Sequence, residues 1–183
     1  MEMKELVLET ERLRLRWFRE ADFEEYCHIC ADAEVMRFLG DGKPMTPMEV
    51  WRQMAAMMGH WYFRGYGPWA VEEKQTGKIV GRIGFMNPAG WPGFELGWVL
   101  GRESWGQGYA TEGARAALDY AFREMNRDHV ISLIALENTN SIKVAERLGE
   151  SVEGRTEFLG RTVLIYGISR EQWSRTFENR RHK

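Results

Sequence analysis

The sequence predicts a single α+β domain, three-layered, in which one mixed sheet of about seven strands is flanked by helices. Two observations carry that class. Hydrophobic periods of about two and about 3.6 residues follow one another in the order β-α-α-β-β-β-α-β-α-β-β-α. No linker, repeat or low-complexity stretch interrupts the order, and 183 residues is an ordinary length for one domain. The expected domain spans 1–178, with a basic tail at 179–183.

Each element has its own warrant. Leu13, Leu15 and Trp17 alternate with Arg12, Arg14 and Arg16, the period of a half-buried strand. Ala21–Asp32 reads as a helix with Phe23, Tyr26, Cys27 and Cys30 towards one side. Thr46-Pro47-Met48-Glu49 announces a second helix: Thr46 caps, Pro47 fits the first turn, and Glu49 closes a capping box. Its expected apolar face is Val50, Trp51, Met54, Met57, Met58 and Trp61. Trp69–Lys74 and Ile79–Met86 flank the polar loop Gln75–Lys78 and read as a hairpin. The Pro- and Gly-rich Asn87–Gly93 leads into a third strand, Phe94–Leu100. Thr111–Met125 is helical, with Ala114, Ala117, Leu118, Ala121 and Phe122 on one face. Val130–Leu136 is an apolar strand and Ser141–Leu148 a short helix ended by Gly149. Strands Ser151–Phe158 and Thr162–Ile168 precede a last helix from Arg170.

Composition narrows the function classes. Twenty-five Lys+Arg against 27 Asp+Glu give a net charge of −2, without the basic stripe of a nucleic-acid binder. Apolar runs fall short of the roughly 20 residues that span a membrane. Met1–Glu5 is charged, with no apolar segment of a signal peptide after it. The expectation is a soluble, cytoplasmic protein with neither nucleic acid nor membrane as partner, monomeric or homodimeric. Cys27-His28-Ile29-Cys30 lacks the second ligand pair of a zinc site and the strand-loop context of a redox pair, so both thiols are expected as buried small residues and no metal is expected.

The stretch that carries chemistry is Glu95–Leu100, the loop Gly101–Ser104, then Trp105-Gly106-Gln107-Gly108-Tyr109-Ala110-Thr111-Glu112. Glycines before a helix let backbone N–H groups converge at the positive end of the helix dipole, an anion site best suited to phosphates. A P-loop is excluded, because Gln107 and Gly108 stand where Lys and Ser/Thr belong. A dinucleotide fingerprint lacks its third glycine, Thr111 standing there, and Glu137 lies too far on to be its ribose acid. A coenzyme A pyrophosphate site remains beside an unliganded turn.

Gly106-x-Gly108-x-Ala110 after a strand resembles the acyl-CoA signature of the GNAT superfamily of N-acetyltransferases. Trp105–Glu112 is similar to its RimJ/RimL branch, which acetylates ribosomal-protein N-termini. Leu8–Arg16 resembles the branch's opening strand, Glu137–Gly149 its second cofactor motif, and Ser169–Trp173 the start of its last helix. The resemblance implies the GNAT fold, with a mostly antiparallel sheet, acetyl-CoA as cosubstrate and an amine as acceptor. Trp105 stands where the superfamily has Gln or Arg, and Glu150 where an apolar residue usually follows the glycine.

By that resemblance Trp98, Val99 and Leu100 line the pantetheine arm, Gly106, Gln107, Gly108, Tyr109, Ala110 and Thr111 bind pyrophosphate through main-chain N–H groups, Trp105 anchors the cofactor beside them, and Asn138 with Ser141 meets the pantetheine side. An amine acceptor is mostly protonated at neutral pH, so a base is useful. Glu95 is the candidate, directly or through a water, against the plainer reading of a strand carboxylate. Many superfamily members place a tyrosine acid where this chain has Ala145; Ser141 is the substitute its position suggests, with a capping or CoA-binding role equally open. Glu112 is expected to favour its helix dipole. The opposing class is a GNAT-like module that holds acyl-CoA without turnover, encouraged only by Ala145. The acceptor half is expected in Phe38–Gly67, walled by Trp51, Trp61, Tyr62, Phe63 and Tyr66.

Overall fold

The computed structural model describes residues 5–181, with side chains through Thr176. Eight strands form one sheet: β1 (Leu8–Glu9), β2 (Leu13–Arg16), β3 (Pro68–Glu73), β4 (Ile79–Met86), β5 (Glu95–Leu100), β6 (His129–Ala135), β7 (Ser151–Phe158) and β8 (Arg161–Ser169). Their order is β1-β2-β3-β4-β5-β6-β8-β7. Every neighbouring pair is antiparallel except β5–β6, which is parallel. The strand beyond the expected seven is β1, two residues long and too short to show a period.

Six α-helices complete the fold: α1 (Phe23–Cys30), α2 (Ala33–Met36), α3 (Pro47–Arg64), α4 (Tyr109–Arg123), α5 (Thr139–Leu148) and α6 (Arg170–Arg181). A 3-10 turn, Glu20–Asp22, precedes α1. In α3 the capping box is present, Thr46 and Glu49 bonding reciprocally, and Gly65 closes the helix in the left-handed region. The tail's first residues continue α6; Met1–Lys4, His182–Lys183 and the tail side chains lie outside the described residues.

Burial follows the two faces of the sheet. Helix α4 lies across β2, β4 and β5, and its alanines pack with Leu13, Leu15, Ile83, Phe85 and Leu96. Helices α1, α2 and α3 cover the opposite face with Tyr26, Ile29, Cys30, Met54 and Met57 against Ala70 and Val99. Cys27 and Cys30 are free thiols, and burial pushes both pKa values up, which keeps them unreactive.

Two expectations fail on tertiary grounds. Arg16 does not face solvent: it is 5% exposed, because its guanidinium pairs with Asp22 at 2.7 and 2.8 Å and with Glu72 at 2.7 Å. Trp51 leaves the apolar face of α3 and is 50% exposed, edge-on to Phe23. Asp22, His60 and Ser132 are buried polar groups that the sequence did not single out. The His60 ring bridges two backbone groups: its Nε2 accepts from the Asn87 N–H at 3.1 Å and its Nδ1 lies 2.6 Å from the Tyr66 carbonyl.

Candidate active site

The site begins where β5 and β6 part. Their pairing is confined to Glu95 opposite Ile131, with the Ile131 N–H donating to the Phe94 carbonyl at 3.0 Å. Past that point side chains replace the ladder. The Glu95 carboxylate accepts the N–H of Leu133, the next β6 amide facing β5. Ser132 Oγ donates to the Leu96 carbonyl at 2.9 Å. Beyond these two substitutions the edge of β5 at Trp98, Val99 and Leu100 has no β6 partner. It borders a cleft of about 1410 Å³ that runs from the glycine turn to the loop after α2.

At one end of the cleft the turn has the form a bound anion needs. Gly106 and Gly108 take φ of 75° and 83°, and space around Gly106 is open. None of the N–H groups from Gly106 to Thr111 donates to another described residue; the first to do so is Glu112, to the Gly108 carbonyl. The Thr111 hydroxyl is buried without a partner. Such a run of unused donors at the start of α4 fits a diphosphate. Trp105 lines the cleft and ties back through its indole N–H to the Leu100 carbonyl at 2.8 Å. Tyr109 and Ala110 line the same end, and Tyr109 turns its hydroxyl to Glu73. The Gln107 side chain turns away and donates to the Glu103 carbonyl at 3.0 Å, so only its backbone is available.

Arg12 holds the turn from outside. It donates to the Gln107 carbonyl at 2.9 Å and to Glu112 at 2.7 Å, and stacks 4.6 Å from the Tyr109 ring centre. Glu112 also accepts from Thr10 Oγ1 at 2.6 Å and from the Arg12 N–H at 2.9 Å. Burial alone would raise the Glu112 pKa; the hydrogen bonds from Thr10 and Arg12 outweigh it and hold it low. Glu112 is therefore an anchor between the β1–β2 turn and α4.

The middle of the cleft carries Glu95, Trp98, Asn138 and Ser141. Glu95 lies at the bottom, enclosed by protein but still reached by solvent from the cleft. Burial pushes its pKa up, against the opposing pull of the Trp91 indole, the Arg82 charge and the Leu133 amide. Its Oε1 reaches over Gly97, where a Cβ would stand 4.0 Å away and meet nothing nearer. Asn138 is the N-cap of α5 and accepts from the Ser141 N–H at 3.2 Å. Ser141 Oγ accepts from the Trp98 indole at 3.3 Å, which leaves its own proton free. Ala145 is buried against Ile134 and Tyr166, away from the cleft.

The expected aromatic wall is a different set of residues. Trp61 and Tyr66 are core, while Tyr62 and Phe63 are 69% and 81% exposed, so none of the five lines the cleft. Trp91 and Phe158, edge-to-face at 4.6 Å, line it instead, with Phe38, Met57 and Met86. A helix period alone does not say which of several aromatic faces meets a cavity.

A parting pair of parallel strands above a glycine-rich helix start defines an acyl-CoA-binding transferase. Residues 12–150 match the acetyltransferase (GNAT) domain family. An uncharacterised N-acetyltransferase, p20, of Bacillus licheniformis is 32% identical over 168 residues, covering 88% of this chain and 94% of its own. The crystal structure of the acetyltransferase from Agrobacterium tumefaciens str. C58 superposes with a TM-score of 0.80 at 31% identity, covering 92% of this chain and 96% of that one. A spermidine N-acetyltransferase from Vibrio cholerae, solved with CoA and spermine, shares the fold with a TM-score of 0.73 at 20% identity, covering 90% and 99%. The chain belongs to the GNAT family and is an acetyl-CoA-dependent N-acetyltransferase.

Proposed function

We propose that this enzyme moves acetyl from acetyl-CoA to a primary amine by direct attack, both substrates being bound together, with Glu95 as the base. The observation that carries this is the Glu95 carboxylate where β5 and β6 part, with Oε1 over the bare backbone of Gly97. Acetyl-CoA supplies the acetyl group already activated as a thioester. The amides of Gly106 to Thr111 hold its diphosphate, and the open edge of Trp98, Val99 and Leu100 pairs with the pantetheine arm. Asn138, its oxygen committed to capping α5, offers its amide N–H₂ to the same arm.

Glu95 accepts the proton of the incoming ammonium, directly or through a water. Its raised pKa brings it closer to the amine's, which improves a base. Ser141 directs its free hydroxyl proton towards the departing sulfur. Open backbone N–H groups on β5 favour the developing oxyanion.

Release of CoA thiol against a panel of amines tests the reading. Glu95→Gln keeps an acceptor for Leu133 and should lower kcat about 10²- to 10⁴-fold near neutral pH. The wild-type acidic limb should vanish in the variant, and the gap should narrow as pH approaches the amine's own pKa. An unchanged pH–rate profile removes Glu95 from the role. Acetyl-CoA binding without thiol release on any amine would favour a non-catalytic module.

A further inference from the structure

The acceptor side of the cleft holds a charge that the reaction as proposed does not use. On the sheet face covered by α1 and α3, β4 presents Arg82, Gly84 and Met86, and β5 presents Val99, Gly97 and Glu95. Arg82 pairs with Val99 and Gly84 with Gly97, so no side chain of these strands stands between Arg82 and Glu95. Their Cα atoms are about 14 Å apart by strand geometry, a gap their long side chains reduce to the length of a small molecule. Both residues line the same cleft.

Arg82 is held by no carboxylate at ion-pair distance among the described residues. Its Nε is buried without a partner, and among the described residues its guanidinium forms no ion pair. Its guanidinium donates to the Tyr26 hydroxyl, a neutral partner, and its charge bears on the Cys30 thiol and the Glu95 carboxylate. Tyr26 already donates to Gln53 at 2.7 Å, and Glu95 accepts from Trp91 and Leu133. Of the other acidic side chains lining the cleft, Glu34 pairs with Arg37 at 3.9 Å, Asp41 with Lys43 at 3.7 Å, Glu49 accepts from the Thr46 N–H at 2.7 Å, and Glu137 is exposed; none forms an ion pair with Arg82 among the described residues. A partly buried guanidinium set between Ala70 and Val99 without an ion pair favours an arriving anion, and its planar fork matches a carboxylate.

We infer that the acceptor is a small amino carboxylate, its amine received by Glu95 and its carboxylate by Arg82. The inference rests on the reading of Glu95 as the base. It also turns the cleft against polyamines, whose second cation would face Arg82.

The test measures thiol release from acetyl-CoA with glycine, β-alanine, 4-aminobutyrate, L-methionine and L-phenylalanine, each beside its methyl ester, and with spermidine. The expected result is at least one acid favoured over its ester by about ten- to hundredfold in kcat/KM, the range of a hydrogen bond to a charged group. Arg82→Gln should abolish that preference by raising KM for the acid, with KM for acetyl-CoA unchanged; Arg82→Lys should retain part of it. Esters or spermidine used as well as the acids, or an equal effect of Arg82→Gln on acid and ester, would overturn the inference. Calorimetric binding of the N-acetylated acids and esters to CoA-loaded protein separates the two readings. Acid-selective binding that Arg82→Gln removes, without turnover in the wild type, sinks the base and keeps the carboxylate site. Binding without selectivity sinks the carboxylate site.

Discussion

Glu150 shows how one residue is decided by its surroundings. It is 4% exposed, and burial pushes its pKa to about 8, with Ser132 pulling down and Glu153 pushing up. Ser132 Oγ lies 2.9 Å from the Leu96 carbonyl and 3.2 Å from Glu150, and one hydroxyl proton cannot serve both oxygens. With Glu150 protonated the chain closes: Glu150 donates to Ser132, and Ser132 to Leu96. The folded state then holds a proton that the unfolded chain releases above about 4.5. This residue's contribution to stability is therefore full below pH 4.5, declines through the window to pH 8, and stays lost above it. Glu150→Gln keeps the donor and removes the titration. Urea unfolding should find the two proteins close at pH 5, and the variant more stable by roughly 2–4 kcal/mol at pH 8. A gap that does not change with pH would assign the proton elsewhere. The sequence marked Glu150 as out of place; the proton chain required Ser132 beside it.

At the scale of elements, local signals were legible and partnerships were not. The bounds of β4 and β7 coincide with those read from the sequence, as do the Thr46 cap of α3 and the Gly149 end of α5; α5 starts two residues earlier than expected, because Asn138 rather than Ser141 caps it. Arg16 was misassigned because its burial depends on Asp22 and Glu72, the latter 56 residues away. Arg82 was passed over, although a lone charge inside Ile79–Met86 was the available clue. The clamp between the β1–β2 turn and α4 was equally hidden, since Arg12 reads locally as one arginine of an alternating strand. Arg12→Ala removes its bond to the Gln107 carbonyl and its ties to Glu112, loosening the turn without touching Glu95. Steady-state kinetics should show KM for acetyl-CoA raised about tenfold, with kcat at saturation nearly unchanged. A fall in kcat alone would place Arg12 in the chemistry.

The whole molecule is two half-sheets, β1–β5 and β6–β8, that meet along one short seam. A ligand lying in the opening contacts both halves, so CoA should stabilise the fold as well as occupy it. At a hundred times its Kd the gain is about 2.7 kcal/mol, which for a chain of this size raises Tm by roughly 5–10 °C. Thermal unfolding with and without CoA checks this, and Arg12→Ala should need more CoA for the same rise. The clamp also sets an order in time. Arg12 and Glu112 are 100 residues apart, so on the ribosome the first grip of the anion site emerges long before the turn it will hold. Until β2 has docked on β3 the turn has its glycines but not its brace. Cofactor capture by a growing chain thus marks the completion of the first half-sheet, and a chain deprived of its opening strand would carry the full cofactor motif and hold CoA poorly.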